Sequence, residues 1–251
     1  MTAIEQLVQR WDDQQAAYIT HREQRFEVML DVIARLAAAE DGGRLTVLDL
    51  ACGPGSLAGR ILERFPDVQV IGLDYDPVLL TLADTWLGDR FTAVDADLAR
   101  PGWETKLPPG PIHAAVSSTA LHWLKPAELV AGYATLGTLL PSNGVFMNAD
   151  HLRYDPQTQP FLTEAAAADD ERTQRTARAA GAQTWDEWWA DAVAVPALGE
   201  RLAERERRFA DRPPTPHAPL GLHLQALGTA GFAETGTIWR YYDDVVVFAR
   251  R

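Results

Sequence analysis

Residues 46–59 have the sequence TVLDLACGPGSLAG, which gives the strongest indication of the fold. A short apolar run ends in Asp49, and small residues with a G-x-G step at Gly53 and Gly55 lead from it into a helical pattern. Glycines at such a turn permit positive φ angles and let backbone N–H groups approach a ligand without an intervening Cβ. A strand, a glycine loop and a helix in this order predict a binding site for an adenine-containing cofactor at the carboxyl ends of the strands.

The composition limits the class of protein. The chain has 251 residues, of which 47% are hydrophobic, enough for one α/β core with a small added subdomain. Lys and Arg number 23 against 35 Asp and Glu, and this net charge of −12 disfavours nucleic-acid and anionic-membrane partners. A single cysteine and scattered histidines predict neither a disulfide nor a metal site. With no signal-peptide pattern and no run of roughly 18 apolar residues, we expect a cytoplasmic monomer or homodimer.

Short β-rich runs alternate with helical patterns along the chain. Strands are predicted at 45–50, 68–74, 90–94, 112–118 and 144–149, with helices at 56–65, 77–87 and 126–140. Strands separated by helices require right-handed crossovers and therefore a parallel, doubly wound sheet. Two final β-rich runs, FAETGTIWRYY and DDVVVFAR, are too close for a helical crossover and predict an antiparallel C-terminal hairpin. The sequence thus predicts an α/β fold with a mostly parallel seven-stranded sheet.

Three regions are expected from this pattern. Residues 1–43, helical from about 3 to 39, are interpreted as an N-terminal lid, and residues 44–155 with 219–251 as a Rossmann-like core. Residues 156–218 contain no convincing strand and are interpreted as a helical insertion that caps the substrate. The mixed-charge segment ERLAERERRFADR within this insertion predicts a solvated helix.

The glycine loop by itself is compatible with two cofactors. Gly53-x-Gly55-x-x-Ala58, followed by Asp74 at about the required spacing, satisfies the dinucleotide fingerprint of an NAD-dependent oxidoreductase. Asp49 disfavours NAD, because its carboxylate would meet the negative pyrophosphate at this turn. A ligand with an ammonium group and a sulfonium, and without phosphate, would tolerate or prefer Asp49. The C-terminal hairpin is also foreign to the usual dinucleotide-binding domain.

Five segments resemble, in order, the motifs of class I S-adenosylmethionine-dependent methyltransferases: VLDLACGPGSL, IGLDYDPVLL, FTAVDADL, IHAAVSSTALHWL and LLPSNGVFMNAD. They run from about residue 45 to 150, and the hairpin extends the resemblance to residue 250. Within this class, LHWL and the insertion resemble the small-molecule methyltransferases. The resemblance implies S-adenosylmethionine as cofactor and in-line transfer of its methyl group to an O, N or C nucleophile of a small molecule. A non-methylating member of the fold, either a cyclase or a binding module, remains an alternative.

The resemblance also assigns residues to the methionine part of the cofactor. It places Asp49, Ala51, Gly53 and Gly55 around this moiety. Ser117, at the end of the fourth strand, would lie close to the transferable methyl group. The family often has glycine at the position of Ala51, which is a mild departure.

The adenosine part is assigned in the same way. The resemblance implies that Asp74 accepts hydrogen bonds from both ribose hydroxyls and that Tyr75 packs beside the adenine. Asp95 would accept a hydrogen bond from the adenine amino group, with Ala96 and Asp97 framing the ring. Asp97 is a rival of Asp95 for this role.

Two histidines follow strands and are therefore expected at the catalytic rim. His122 follows the fourth strand and His151 the fifth, and each is a candidate general base for a hydroxyl or carbon nucleophile. An equally open interpretation of His122 is a structural residue that fixes its loop. A carboxylate nucleophile would need no base.

The substrate contacts are expected from the N-terminal helix and the insertion. Tyr18 and Arg22 lie one turn apart, and in similar methyltransferases such a helix folds over the cofactor. They would contact the carboxylate of the cofactor or the substrate; a solvated helix face is the alternative. The other candidate substrate contacts are Trp123, Trp185, Trp188 and His217. For the tryptophans the alternative is core packing, and for His217 a loop position without a role.

Overall fold

The computed structural model describes residues 2–39, 44–211 and 218–251. Within these ranges one sheet is formed by β1 (Thr46–Leu50), β2 (Gln69–Asp74), β3 (Phe91–Asp95), β4 (Ala114–Ser118), β5 (Val145–His151), β6 (Glu234–Tyr241) and β7 (Asp244–Arg250). The strand order is β3-β2-β1-β4-β5-β7-β6. Neighbouring strands from β1 to β5 are parallel, and β7 is antiparallel to both β5 and β6. The predicted fold class, a mostly parallel seven-stranded α/β sheet with an antiparallel C-terminal hairpin, is confirmed.

Helices cover both faces of this sheet. They are α1 (Ala3–Tyr18), α2 (Arg22–Ala39), α3 (Ser56–Arg64), α4 (Pro77–Leu87), α5 (Pro126–Leu139), α6 (Pro160–Ala179), α7 (Trp185–Val193), α8 (Gly199–Phe209) and α9 (Leu220–Thr229). In β1, Val47 packs in one apolar cluster with Ile61 of α3, and Leu48 packs in a second cluster with Tyr133 of α5. Because both faces of the strand are buried, its sequence is a continuous apolar run rather than an alternating one.

The N-terminal helices and the insertion pack on each other. The helical pattern over residues 3–39 is divided into α1 and α2 by a turn at which His21 has a φ of 57°. Trp11 of α1 contacts Trp188 of α7, and the indole Nε1 of Trp188 donates to the carbonyl oxygen of Leu7 at 3.0 Å. We refer to α1, α2, α7 and α8 as the cover. No helix in the described ranges is long and apolar enough to cross a membrane.

Candidate functional site

A cavity of about 660 Å³ lies between the carboxyl ends of the strands and the cover. This volume is in the usual range for small-molecule and cofactor sites. The strand side of its wall is formed by the ends of β1, β2, β4 and β5 and by the loops that follow β1, β2, β3 and β4. The cover closes the cavity from the opposite side, and its contributing residues are Trp11, Gln15, Tyr18, Ile19, Arg22, Phe26, Trp185, Arg205 and Phe209.

The glycine loop after β1 is held in a left-handed conformation. Ala51, Gly53 and Gly55 have φ angles of 53°, 56° and 84°. A Cβ on Gly53 would meet no atom within 4 Å, so this glycine opens space beside the cavity that it lines. A Cβ on Gly55 would approach Leu87 Cδ1 at 2.5 Å, so this glycine allows α4 to pack closely. Ala51 adopts a conformation that is unfavourable for a residue with a Cβ, by about 1–2 kcal/mol.

Asp74 at the end of β2 holds the loop in place. Its Oδ2 accepts a hydrogen bond from the Gly53 N–H at 2.6 Å, and its Oδ1 accepts one from the Asp76 N–H at 2.7 Å. Burial raises the pKa of Asp74 to about 6, although these N–H groups act in the opposite direction. Each carboxylate oxygen has a second lone pair, so Asp74 can still accept hydrogen bonds from a ligand in the cavity that it lines.

Asp49 is a buried carboxylate without a counterion. It is 1% exposed and lines the cavity, and its Oδ2 has no hydrogen-bond partner. Burial and the nearby Asp74 raise the pKa of Asp49 to about 8. No lysine, arginine or histidine in the described part of the chain forms an ion pair with it. An uncompensated buried carboxylate favours a ligand that brings positive charge to it.

The structure distinguishes the two aspartates that follow β3. The cavity wall contains Ala96 and Asp97, and Asp97 Oδ1 accepts a hydrogen bond from the Ala99 N–H at 2.9 Å. Asp95 is absent from this wall and forms two hydrogen bonds with Arg208, each of 2.7 Å. The structure therefore places Asp97 in the cavity wall and pairs Asp95 with the cover.

A similar shift of one residue occurs at the end of β4. Ser117 is fully buried, and its Oγ donates to the carbonyl oxygen of Leu50 at 2.8 Å, which ties β4 to β1. Ser118 and Thr119 line the cavity instead. Ser117 is placed behind the wall because successive side chains of a strand point to opposite faces of the sheet.

Each rim histidine is paired with a buried aspartate. His122 Nδ1 lies 2.6 Å from Asp150 Oδ1, and the His122 N–H donates to Asp150 Oδ2 at 3.0 Å. His151 Nδ1 lies 2.5 Å from Asp244 Oδ1, and the two imidazole rings are 6.5 Å apart. Both histidines line the cavity. The two hydrogen bonds to Asp150 fix the loop and ring of His122 and leave its Nε2 as the nitrogen that can exchange a proton with a ligand, whereas His151 Nδ1 is close to Asp244 without a hydrogen bond.

Arg25 is a residue of this rim that sequence reasoning missed. It is 0% exposed; it donates to Asp244 Oδ1 at 3.2 Å and to the carbonyl oxygen of Ala149 at 2.6 Å. A signal was present, because Arg25 shares a helix stripe with the apolar Met29 and Ile33 at i, i+4 and i+8. An arginine in an apolar stripe is expected to reach a buried partner.

The candidate substrate residues are divided by the structure. Tyr18, Arg22, Trp123 and Trp185 line the cavity, whereas Trp188 is fully buried behind it in contacts with α1. His217 lies outside the described residues. Arg22 is 6% exposed and pairs with Asp12 at 3.0 Å; its Nη1 makes no hydrogen bond and lies 3.7 Å from the exposed carboxylate of Glu23.

Comparisons with known proteins agree with this geometry. Residues 47–144 match a family model described as a methyltransferase domain. A trans-aconitate 2-methyltransferase of Streptomyces avermitilis is 32% identical over 118 residues, which are 47% of this chain and 42% of that protein. One of Methylobacterium radiotolerans is 29% identical over 187 residues, 74% of this chain and 61% of that protein. The matches thus cover less than two thirds of the length of these relatives.

Solved structures share the fold. The DszA carbon methyltransferase superimposes with a TM-score of 0.59 at 16% identity, covering 92% of this chain and 54% of that one. A magnesium protoporphyrin IX methyltransferase from Synechocystis, with bound SAH, gives a TM-score of 0.53 at 18% identity and covers 96% of this chain and 94% of that one. The resemblance to class I methyltransferases expected from the sequence is confirmed by the domain match and by the fold.

Proposed function

We propose that this protein, which carries a methyltransferase domain at residues 47–144, is an S-adenosylmethionine-dependent methyltransferase of small molecules. The observation that carries the proposal is the buried carboxylate of Asp49, which lines the cavity with one oxygen unpartnered. A cofactor with an ammonium group and a sulfonium would stabilise the ionised form of Asp49. A dinucleotide would bring a pyrophosphate instead and leave it uncompensated.

The residues of the cavity fit this cofactor. The space beside Gly53 and the free oxygen of Asp49 suit the methionine moiety, and the free lone pairs of Asp74 suit the ribose hydroxyls. Tyr75 and Asp97 line the adenine side, and we assign the adenine amino group to Asp97 rather than to Asp95. When bound, S-adenosylmethionine supplies an activated methyl group for in-line displacement by a nucleophile of the substrate.

The chain itself contributes position, water exclusion and a candidate base. The cover encloses the two reactants and keeps them in place, which is the main requirement once the methyl group is activated. For a hydroxyl or carbon nucleophile, His122 accepts the proton at Nε2 while Asp150 holds Nδ1. His151, held by Asp244, is the second candidate base.

A small carboxylic acid is the substrate class that we propose. The relatives are named for trans-aconitate, and Arg22 lines the cavity with an Nη1 that has no hydrogen-bond partner. A guanidinium is well suited to binding a carboxylate. Tyr18, Trp123 and Trp185 form the remaining wall on this side. A carboxylate nucleophile needs no base, and the two histidines then only orient it.

Two measurements test the proposal. Titration calorimetry with S-adenosylhomocysteine and with NAD is expected to show binding of the first only, and binding of NAD alone would overturn the assignment. The purified protein is then incubated with S-adenosylmethionine and a panel of small carboxylic acids that includes trans-aconitate. We expect a product heavier by one methyl group. S-adenosylhomocysteine binding without any methylated product would favour the non-methylating alternative.

A control variant tests the substrate class. Arg22→Gln is expected to raise the KM of the acid about tenfold, as one charge-assisted hydrogen bond to a carboxylate is lost. Arg64→Gln is the matched control, because Arg64 lies on α3 and pairs only with Glu27 and Asp31 among the recorded ion pairs. An unchanged KM in Arg22→Gln would remove Arg22 from the substrate site.

A further inference from the structure

Helix α8 of the insertion is attached to the adenosine end of the cavity by Arg208. The guanidinium forms a bidentate pair with Asp95 at the end of β3, and both N–O distances are 2.7 Å. Its Nη1 also donates to the carbonyl oxygen of Tyr75 at 2.8 Å, and its carbon lies 5.0 Å from the centre of the Tyr75 ring. One side chain thus connects α8 to the loops after β2 and β3.

Arg205 forms a second attachment one turn earlier. Its Nε donates to Asp76 Oδ2 at 2.6 Å, while Asp76 Oδ1 caps α4 by accepting from the Val78 N–H at 2.9 Å. Arg205 and Phe209 both line the cavity, and the Phe209 ring is 5.5 Å from the ring of Tyr75. The segment expected to be a solvated helix therefore forms part of the cavity wall.

The attachment of α8 combines a half-buried apolar contact of Leu202 with ion pairs, of which the Arg208–Asp95 pair is the more exposed to solvent. No residue of α8 is buried, in contrast to α7, where Trp188 and Ala192 are. Asp95 is 47% exposed and Arg208 is 19% exposed. Exposed ion pairs are weak and are screened by salt, so the Arg208–Asp95 pair can open at little cost in free energy.

We propose that α8 is a movable wall of the adenosine site. Arg208 acts as a positioning residue that holds α8 closed over the bound cofactor. Release of the Arg208–Asp95 pair exposes the adenosine end and lets the cofactor product leave. The proposal rests on the proposed function, since it takes the adenosine moiety to bind beside Tyr75.

The test is the dissociation rate of S-adenosylhomocysteine, measured by stopped-flow fluorescence with an excess of competing ligand. Arg208→Gln and Asp95→Asn are each expected to release the ligand about fivefold faster. The double variant should release it no faster than either single variant, because the two residues act through one pair. Arg207→Gln is the matched control, since Arg207 is 75% exposed and pairs with Glu204 of the same helix.

The dependence on salt separates a gating role from a general structural one. In the wild type and in Arg207→Gln, dissociation should accelerate as sodium chloride is raised, and in Arg208→Gln this acceleration should be lost. Equal rates in Arg208→Gln and Arg207→Gln, or an unchanged salt dependence, would overturn the role of α8. If the wild type binds no S-adenosylhomocysteine at all, the proposed function fails, and the proposal for α8 fails with it.

Discussion

Asp49 and Asp150 lie at the same edge of the sheet and are almost equally buried, yet their pKa values shift in opposite directions. Burial and the neighbouring Asp74 raise the pKa of Asp49 to about 8. Burial alone would also raise the pKa of Asp150, but His122, His151 and Arg25 lower it to about 2. The two carboxylates differ in their partners, not in their burial.

The difference shows at which part of the cavity the buried carboxylates have cationic partners from the chain itself. At the β5 and β7 side the chain provides its own cations, since Asp150 forms a hydrogen bond with His122 and Asp244 pairs with His151 and Arg25. At the β1 side the described residues provide none for Asp49, which lines the cavity and has one oxygen without a hydrogen-bond partner. A buried carboxylate that the protein leaves uncompensated is matched by a cationic ligand.

Removing the buried guanidinium of Arg25 should have the largest effect, which is on the stability of the protein. Arg25→Met leaves Asp244 buried without its arginine, so the free energy of unfolding is expected to fall by about 3–5 kcal/mol. Urea denaturation at pH 7 measures it. Arg64→Met, which breaks the exposed pairs of Arg64, serves as the control and should change the stability by about 0.5 kcal/mol at most. A loss below about 1 kcal/mol in Arg25→Met would mean that the two sides do not differ as described.

Removing the carboxylate of Asp74, which lines the cavity together with Asp49, should mainly affect ligand binding. Asp74→Ala eliminates the proposed acceptor for two ribose hydroxyls, and the Kd of S-adenosylhomocysteine is expected to rise about 100-fold. Calorimetric titration measures this. Asp84→Ala, at an exposed position of α4, should leave the Kd unchanged. If Asp74→Ala binds as the wild type does, the ribose site lies elsewhere.

Acid should remove the stabilisation that comes from the paired carboxylate of Asp150. The folded pKa of Asp150 is depressed to about 2 from an ordinary 3.8. Its contribution of about 2 kcal/mol is therefore present above pH 4 and is lost as the pH falls toward 2. The free energy of unfolding of the wild type should fall more steeply between pH 4 and pH 2 than that of Asp150→Asn. Parallel profiles of the two proteins would contradict the depressed pKa.

The contribution of Asp49 to stability should change with pH in the opposite direction. Because the folded pKa of Asp49 is raised to about 8, its contribution to the stability of the free protein is present below pH 4 and is lost as the pH rises through 8. The ammonium group of S-adenosylhomocysteine favours the ionised carboxylate, so the affinity should rise about 30-fold from pH 6 to pH 8. Asp49→Asn should abolish most of this rise. A flat profile in the wild type would place the ammonium group away from Asp49.

The smallest effect is expected in the glycine loop on the ligand side. Ala51→Gly relieves a positive φ of 53°, offset by the greater freedom of glycine in the unfolded chain, and should stabilise the protein by about 0.5 kcal/mol. The same change at Ala131, an exposed position in α5, should destabilise it by about 1 kcal/mol. Thermal unfolding of the two variants compares them. Destabilisation by Ala51→Gly would show that the loop is not strained at this residue.

Sequence reasoning was most successful where the site is continuous along the chain. The glycine loop follows β1 directly, and Asp74 ends β2, the next strand, so one strand–helix–strand unit brings them together. At Asp95 and Ser117 the structure places residues one or two positions further along the chain in the cavity wall instead. Whether a side chain at a strand end points toward the cavity depends on where the strand stops, and the pattern does not fix that point.

The cover was the part least accessible to sequence. Helical patterns predicted the presence of its helices, but not that Arg25 would reach Asp244 or that Arg208 would reach Asp95. These partners are separated by 219 and 113 residues along the chain. Charged residues on a helix are usually solvated, so nothing in the local pattern of α8 distinguished Arg208 from Arg207.

The sheet, the glycine loop and the acidic residues on the Asp49 side of the cavity could be predicted from local sequence. Each depends on hydrophobic periodicity or on residues within one strand–helix–strand unit. The tertiary structure decided which carboxylates are compensated and which helices close the cavity. A buried charge is stabilised or left exposed to a ligand by groups that only folding brings within hydrogen-bond distance. Asp49 and Asp150 look alike in the sequence, and Arg25, from a distant helix, contributes to their difference.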